Sequence, residues 1–495
     1  MTSAASPLAT APLSGPAAAL PPLVVDLDGT LTPVDTLMES ALALVRQSPW
    51  SALRLPIWLL RGRAALKEEL AARVHLDPAS LPWRTPLVEH LREQRDQGRR
   101  LLLATAAHRD IADAAATHLG LFHGVLATAD GHNLKGKHKL EAIRREVGSE
   151  FAYAGDSRAD LPVWAGASAA VLVNVSASTR ARAMRTTPME REFADEPFGL
   201  KGWASALRVH QWVKNVLVLV PLLTAFSFLD VGSWLRGLVA MLAFSAVASA
   251  CYLVNDMLDI PHDRAHPRKR HRMLASGRLG VMPATIACLG LLGLGFGAGI
   301  AVSAAFAGVL LLYLLMTMSY SIALKRYVLL DVLTLAALYT VRIVAGSVAI
   351  GVPMSTWLLA FSMFLFFCLA LVKRCAELAA LEALGRVASS GRDYRVQDLA
   401  VLWPMGVASA VAAAMVLGLF IQSPETEARF AQPQLLWLTV PCLMYWLGRM
   451  WIKTSRAEMH DDPVVFAFRD RGSRQTVLAM VTIFIAARLW PTGLF

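Results

Sequence analysis

Charge is scarce in this chain. Of its 495 residues only 17% are Asp, Glu, Lys or Arg, against about 25% in soluble globular proteins, while 55% are apolar. That balance excludes an ordinary soluble protein and points to membrane spans. Cysteine is sparse as well. Four of the five, Cys251, Cys288, Cys368 and Cys442, lie in or at the edge of apolar segments, and Cys375 follows one closely. They show neither a paired framework nor metal-ligand spacing, which argues against disulfides and a zinc site. The first 20 residues hold no Lys or Arg, so the basic start of a signal peptide is missing. Rich in Ala, Pro and Ser, they read as a disordered tail.

What charge there is falls unevenly. Residues 21–200 read as a soluble domain and residues 201–495 as a membrane domain. The net charge of +11 would suit nucleic acid in a soluble protein. Here the basic residues gather in loops between apolar spans, where topology and phosphate binding account for them, and no nucleic-acid partner is expected.

In the soluble part, short apolar runs alternate with helical stretches. PLVVDLDGT at 22–30, RLLLATA at 100–106, FAYAGDS at 151–157 and AVLVNVS at 170–176 predict buried strands. TPLVEHLREQRDQG and KHKLEAIRREVG predict helices between them. This alternation implies a Rossmann-like α/β sandwich around a mostly parallel sheet, in which ligands bind at the carboxyl ends of the strands. Chemistry-bearing residues stand at those ends: Asp26 and Asp28 in DLDGT, Thr105, Lys139, and Asp156 and Asp160 in GDSRAD. A carboxylate such as Asp26 can attack a phosphoryl group. Asp28 is placed to protonate the leaving oxygen and then activate water. Thr105 and Lys139 can hold phosphate oxygens. Lys139 is preferred to Lys137 because it opens the LEAIRREV helix. Asp26, Asp28, Asp156 and Asp160 are the candidate ligands of a hard cation, Mg²⁺. Two acids in a loop are often only a solvated turn, but a second acidic strand end some 130 residues later argues for a site.

These four fragments resemble the haloacid-dehalogenase-like (HAD) phosphatases over roughly residues 22–185. The resemblance implies a phosphomonoesterase with a helical cap, here residues 36–95, that sets substrate choice. Within it, PWSALRLPIWLLRGR is too short to span a bilayer. Its Trp, Leu and Arg mixture fits either an interfacial segment or a packed cap helix.

From residue 201 about nine apolar stretches follow, with cores near 213–229, 235–254, 281–301, 304–322, 328–350, 355–372, 399–421, 434–451 and 476–493. An all-α polytopic domain in the lipid bilayer is expected. The loops after the even-numbered stretches carry nineteen Lys or Arg, and those after the odd-numbered ones only Arg236 and Arg429. The positive-inside rule then puts the basic loops and the N-terminal domain in the cytoplasm, in a protein of the cell inner membrane.

The expected cytoplasmic loops also carry the unusual residues. NDMLDIPHD sets Asp256, Asp259 and Asp263 at helical spacing, three carboxylates on one face. So close together they repel unless a cation joins them, and Mg²⁺ bridging to a substrate diphosphate is the natural guest. The run His266, Lys269, Arg272 beyond it, Asn255 before it, and Arg208, Gln211, Lys214 and Asn215 ahead of the first stretch offer donors to the remaining phosphate charge. Tyr320, Lys325, Lys373 and Arg374 lie near other cytoplasmic ends. Arg342 sits inside an apolar stretch, where a charge is costly and usually functional. Basic loop residues are mostly topology signals, so each of these donors is weighed against that simpler role.

RVHQWVKN, NDMLDIPHD, HPRKRHR, YSIALK and LVKRCAE resemble motifs of the UbiA superfamily of membrane prenyltransferases, over about residues 203–495. Together with MHDDPVVFAFRDRGSR they are most similar to its decaprenyl-phosphate phosphoribosyltransferase group, although Met273 stands where Pro usually follows Arg272. True prenyltransferases of the superfamily carry a second aspartate-rich motif. Here that region, LKRYVLLDVLTL, has Asp331 alone. The resemblance therefore implies Mg²⁺-dependent transfer of 5-phosphoribosyl from phosphoribosyl diphosphate to a polyprenyl phosphate. That product would still carry a 5-phosphate, a phosphomonoester on the same expected side of the membrane, so the fused phosphatase is expected to act on it. The alternative is prenyl transfer from a prenyl diphosphate to an aromatic or other small acceptor. A third reading, a membrane anchor for a cytoplasmic phosphatase, leaves NDMLDIPHD unexplained. Homo-oligomerisation is compatible with all three.

Overall fold

The computed structural model describes residues 20–128, 134–385, 392–459 and 462–489. The expected N-terminal tail lies, but for Leu20, outside the described residues. The chain divides into two compact units, one formed by residues 1–206 with 256–285 and the other by 207–255 with 286–495.

The first unit is built on a six-stranded sheet in the order β3-β2-β1-β4-β5-β6. Its strands are β1 (Leu23–Val25), β2 (Leu101–His108), β3 (Gly124–Thr128), β4 (Ala152–Gly155), β5 (Ala169–Val173) and β6 (Met189–Phe193), and every pairing is parallel. The central strands read LVV, LLLAT and AYAG because both faces are covered, so each position is apolar or small. Leu23, Val24, Val25 and Leu101 to Ala104 are fully buried. Leu23 stands opposite Leu101 on one side and Ala152 on the other, so β1 and β4 end side by side, at Val25 and Gly155. Asp26 and Asp156 therefore leave the sheet at one edge. Two strands escape sequence reading. β3 is half-buried, and β6, MEREF, is a largely exposed edge strand whose charges mask its pairing.

Helix α1 (Thr36–Gln47) opens the cap, N-capped by the Asp35 side chain, which accepts from the Leu37 and Met38 amides. With α2 (Leu55–Leu60) and α3 (Arg63–Ala71) it encloses a small core of Ala43, Leu44, Trp58, Leu66, Leu70 and Val74. The stretch 49–63 is packed into the cap on one side and exposed on the other. Trp58 is buried in the cap, whereas Trp50, Leu53, Ile57 and Leu60 are exposed, alongside exposed Arg54, Arg61 and Arg63. Helices α4 (Thr85–Asp96), α5 (Arg109–Leu119) and α6 (Lys137–Val147) flank the sheet.

The membrane part is helical. Seven helices among the described residues are long and apolar enough to cross a bilayer. They are α7 (Val231–Leu258), α8 (Val281–Val302), α9 (Ala304–Ile322), α10 (Leu330–Ile350), α11 (Thr356–Ala383), α12 (Leu399–Ile421) and α13 (Thr439–Ser455), the last two lengthened by leading 3-10 turns into spans over Val396–Ile421 and Pro433–Ser455. Among the described residues these account for seven of the nine expected stretches. The first apolar stretch is a 3-10 segment, Val209–Leu219, followed by the short helix Val220–Thr224. Pro221 and the left-handed Phe226 (φ +55°) interrupt any longer helix. The last stretch folds as α14 (Arg471–Leu489), which brings Arg471, Arg474 and Arg488 into one helix and falls outside the spanning set. The second unit's interior packs α10 and α11 through Val332, Ala336, Tyr339, Ile343, Phe366 and Leu369.

Candidate active sites

At the carboxyl edge of the sheet, Asp26, Asp156 and Asp160 each offer a carboxylate oxygen, and these oxygens lie within 4.8 Å of one another. Three hard oxygen donors at that spacing fit a divalent cation such as Mg²⁺. Lys139, on the first turn of α6, donates from Nζ to Asp26 Oδ2 at 2.6 Å and lies 3.8 Å from Asp160 Oδ1. The buried lysine is therefore Lys139. Tyr153, on β4, receives a hydrogen bond from Lys139 at 3.0 Å and donates to Asp160 Oδ1 at 2.8 Å. Sequence reading missed Tyr153, and its only signal was a phenol within an otherwise aliphatic strand. The Leu27 amide donates to Asp26 Oδ1 at 2.8 Å, which leaves Oδ2 facing Lys139.

Asp28 does not join this triad. Its Oδ1 accepts from the Thr36 amide at 3.0 Å, which sets the acid against the first turn of the cap. Between the two acids, Gly29 has φ +75°, and a Cβ there would stand 2.2 Å from Asp156 Oδ2. Only glycine permits that approach. Thr105 is fully buried, and its hydroxyl accepts from the Ala107 amide at 3.0 Å, leaving its own hydrogen to donate. Lys67, on the cap helix α3, donates to the Ala106 carbonyl at 2.5 Å.

Burial raises the Asp28 carboxyl to about 7, with Asp35 adding to the effect. Burial, reinforced by Asp160 and Asp26, raises Asp156 to about 7 as well. Burial alone would lower Lys139, but Asp26 and Asp160 outweigh it and hold the ammonium above its ordinary value. A group whose folded pKa is raised stabilises the fold at low pH, and that contribution is lost as pH rises through the folded value. For Asp28 and Asp156 the window runs from about 4 to about 7. In the absence of divalent cation, the melting temperature of this unit should therefore fall by about 5 °C or more from pH 5 to pH 8. Mg²⁺ should recover most of the loss at pH 8. Melting curves with and without chelator measure this, and a cation-free profile flat in pH contradicts it.

The first unit contains a second acidic group. Asp256, in the last turn of α7, and Asp263, in the short helix Ile260–Ala265, are both buried and share one cation. Arg272 Nη1 lies 3.1 Å from Asp256 Oδ1 and 2.7 Å from Asp263 Oδ2. Asp259 occupies the N-cap position of the short helix. His266 accepts through Nδ1 from the Arg268 and Lys269 amides, which fixes the turn that presents Lys269. The bridging by Arg272 is what the electrostatics require, because two buried carboxylates need a cation between them. A metal bound to Asp256 and Asp263 would take over that role and release Arg272 toward an anion.

In the second unit, Lys214 Nζ and Lys373 Nζ converge on Asp462 Oδ2 at 2.8 and 3.5 Å, and Tyr339 donates to Asp462 Oδ1 at 3.0 Å. Sequence reading missed Asp462 as the centre of this cluster, although it lies in the quoted MHDDPVV fragment. Arg342 is buried, donates from Nε to Asn215 Oδ1 at 2.9 Å and from Nη2 to the Tyr313 hydroxyl at 3.2 Å, and lies within 5.4 Å of the Phe244, Tyr313 and Tyr339 rings. Arg208 lies 5.0 Å over the Tyr252 ring. Gln211 is half-buried beside it in the chain. Tyr320 and Arg374 belong to a separate cluster. Tyr320 donates to Asp331 Oδ1 at 2.8 Å, and Arg374 Nη2 meets Asp331 Oδ2 at 2.5 Å and also pairs with Glu377. Asp331 is thus neutralised by a buried guanidinium. Lys325 lies between Tyr320 and Asp331 in the chain, and Asn255 directly precedes Asp256.

Clustered aspartates on a parallel α/β sheet, and a helical unit in the same chain with charged clusters of its own, fit a two-part enzyme, a hydrolase and a membrane transferase in one chain. The chain belongs to the UbiA prenyltransferase family, whose model matches residues 217–492, and residues 23–164 match the haloacid dehalogenase-like hydrolases. It is similar to the uncharacterized protein y4nM of Sinorhizobium fredii, with 38% identity across 94% of this chain and 91% of that one, so the alignment spans both parts. Nodulation protein NoeC of Azorhizobium caulinodans is 32% identical over 56% of this chain and 90% of its own length. Decaprenyl-phosphate phosphoribosyltransferase of Mycobacterium tuberculosis is 34% identical over 44% of this chain and 73% of its own length. The protein is an integral membrane enzyme combining a UbiA-type transferase with a HAD-type phosphatase domain.

Proposed function

We propose that the membrane part transfers 5-phosphoribosyl from phosphoribosyl diphosphate to a polyprenyl phosphate, and that the phosphatase domain removes the 5-phosphate from the lipid-linked product. The observation that carries this reading is that Asp331 is the lone acid of LKRYVLLDVLTL and is held by Arg374, whose side chain is 1% exposed. Arg272 is 30% exposed and can turn from its carboxylates toward an anion, whereas Arg374 is enclosed with Asp331, so this carboxylate does not supply the second acidic cluster that a prenyl diphosphate would call for. The name and identity of the mycobacterial relative support the same reaction.

Mg²⁺, with Asp256, Asp259 and Asp263 as its ligands, would offset the charge of the diphosphate. Lys214, Lys373 and Arg342 supply positive charge for the lipid phosphate, and Lys269 and Arg272 supply it for the leaving diphosphate. A lipid phosphate oxygen attacks the anomeric carbon while the bond from that carbon to the diphosphate oxygen breaks. In the phosphatase domain, the Asp26 carboxylate attacks phosphorus and Asp28, protonated near neutral pH, gives its proton to the departing ribose 5-oxygen. Asp28 then takes a proton from the water that hydrolyses the aspartyl phosphate. Thr105 and Lys139 hold the phosphoryl oxygens. The loop charges support an inner-membrane protein whose N-terminal domain faces the cytoplasm.

The test is to give purified protein labelled phosphoribosyl diphosphate with polyprenyl phosphate, and separately a labelled prenyl diphosphate with an aromatic acceptor. Label should enter the lipid phase from the first donor. Product from the second donor alone overturns the reading in favour of prenyl transfer.

The exposed Trp50, Leu53, Ile57 and Leu60 with Arg54, Arg61 and Arg63 make the cap suited to an anionic bilayer surface. Trp50→Glu combined with Leu60→Glu should slow dephosphorylation of the lipid-linked product about tenfold and leave hydrolysis of a small soluble phosphate ester unchanged. Equal effects on both substrates would mean that the cap reads the headgroup alone.

A further inference from the structure

Arg264 follows the acidic motif by one residue, yet it pairs with the phosphatase domain. Its Nη2 lies 2.7 Å from Glu39 Oε1 and its Nη1 lies 3.2 Å from Glu39 Oε2, and both side chains are nearly buried. Its Nε donates to the Ala275 carbonyl at 2.9 Å. The guanidinium is thus held from both sides by partners 225 and 11 residues away in sequence. A bidentate, largely buried pair of this kind is specific in geometry, and loss of one partner leaves the other charge stranded.

The contact is extensive around that pair. Gly277 (φ +75°) sits so close to the phosphatase domain that an added Cβ would meet Pro33 Cγ at 2.6 Å and Val34 Cγ1 at 2.9 Å. Arg278 reaches Glu196 at 3.1 Å. On the other side of Glu39 in the same helix, Thr36 gives its amide to Asp28. On the other side of Arg264, Asp263 shares Arg272 with Asp256. One turn of α1 and one ion pair therefore separate the phosphatase's acid from the acidic cluster of the membrane part.

We propose that Glu39 is a positioning residue of the transferase, contributed by the phosphatase domain: through Arg264 it fixes the short helix Ile260–Ala265 and thereby where the Asp263 carboxylate stands beside Asp256 and Arg272. This rests on the assignment of Asp256 and Asp263 as metal ligands. It gives the fusion of the two domains a physical purpose beyond sequential chemistry, because the transferase's acidic loop is docked on its partner domain. Two-site coupling of this kind commonly changes an affinity by about 5- to 150-fold.

The test uses the full-length protein in lipid nanodiscs, with the variants Glu39→Gln, Arg264→Lys and the charge exchange Glu39→Arg with Arg264→Glu. Amide hydrogen exchange across residues 259–273 is followed without metal and with Mg²⁺, and transfer is titrated with Mg²⁺. Glu39→Gln should speed exchange in that segment about tenfold and raise the Mg²⁺ concentration for half-maximal transfer about tenfold, with kcat at saturating Mg²⁺ changed less than threefold. Hydrolysis of a small phosphate ester should stay within twofold. The charge exchange should bring both quantities most of the way back. Unchanged exchange and unchanged Mg²⁺ requirement in Glu39→Gln overturn the proposal, as does a charge exchange as impaired as either single variant. If wild type performs no transfer, the reading of the reaction fails, and the exchange data with and without Mg²⁺ still decide the positioning role.

Discussion

Asp256→Asn should reduce phosphoribosyl transfer at least about 10³-fold, a loss of about 4 kcal/mol of transition-state stabilisation, while phosphatase turnover of a soluble ester stays intact. The carboxylate is buried and already shares Arg272 with Asp263, so the amide fits the space but brings no charge to a cation. Because Arg272 then has one carboxylate instead of two, the fold should survive. Asp263→Asn should behave in the same way. The check is a paired assay on one preparation, with lipid-phase label for transfer and released phosphate for hydrolysis. Transfer near wild-type rates in both variants would mean that the metal ligands lie elsewhere.

Asp26→Asn should have the converse effect, ending hydrolysis by at least about 10⁴-fold, as expected when a nucleophile that acts with its neighbours is removed, and sparing transfer. Asp26 is the carboxylate that meets Lys139 at 2.6 Å and completes the triad with Asp156 and Asp160. The amide cannot form an acyl phosphate. Fluoroberyllate, which mimics the phosphoryl-aspartate, should protect the wild type in a thermal melt in the presence of Mg²⁺ and leave the variant unaffected. Full hydrolytic activity in the variant would place the nucleophile elsewhere.

Much of the soluble site could be read from the chain because strand ends are marked by a change of alphabet. LVV gives way to Asp26 and AYAG to Asp156, and the parallel sheet does the rest by ending β1 and β4 at one edge. Tyr153 and Lys67 were not legible. Tyr153 looks like one more large apolar residue of a buried strand, and Lys67 reaches the Ala106 carbonyl only after the cap folds. Lys139 does not open the helix as the sequence suggests, since α6 begins at Lys137; what separates the two lysines is that Lys139 is buried against Asp26 and Lys137 is exposed.

In the membrane part, hydropathy identified the long helices and failed where backbone geometry intervened. The stretch 213–229 is apolar enough to span, but Pro221, a left-handed Phe226 and a 3-10 segment divide it. Asp462 was hidden for another reason. It lies in a connecting loop about 250 residues from Lys214, and nothing local announces that two lysines and a tyrosine will gather around it. The Glu39–Arg264 pair is the extreme case, since each residue reads as a surface charge on its own segment and only tertiary contact makes the pair.

The central claim is that the two sites act in sequence on one lipid. Its most direct test is product analysis after wild type and Asp26→Asn are each given phosphoribosyl diphosphate, polyprenyl phosphate and Mg²⁺. Transfer alone leaves a ribose that still carries its 5-phosphate. Wild type should yield polyprenyl-phosphoryl-ribose, and Asp26→Asn should accumulate the 5-phosphorylated lipid at a comparable initial rate. Mass spectrometry of the lipid extract separates the two by one phosphate. If wild type and variant both yield only the phosphorylated lipid, the phosphatase acts on something else and the claim is contradicted.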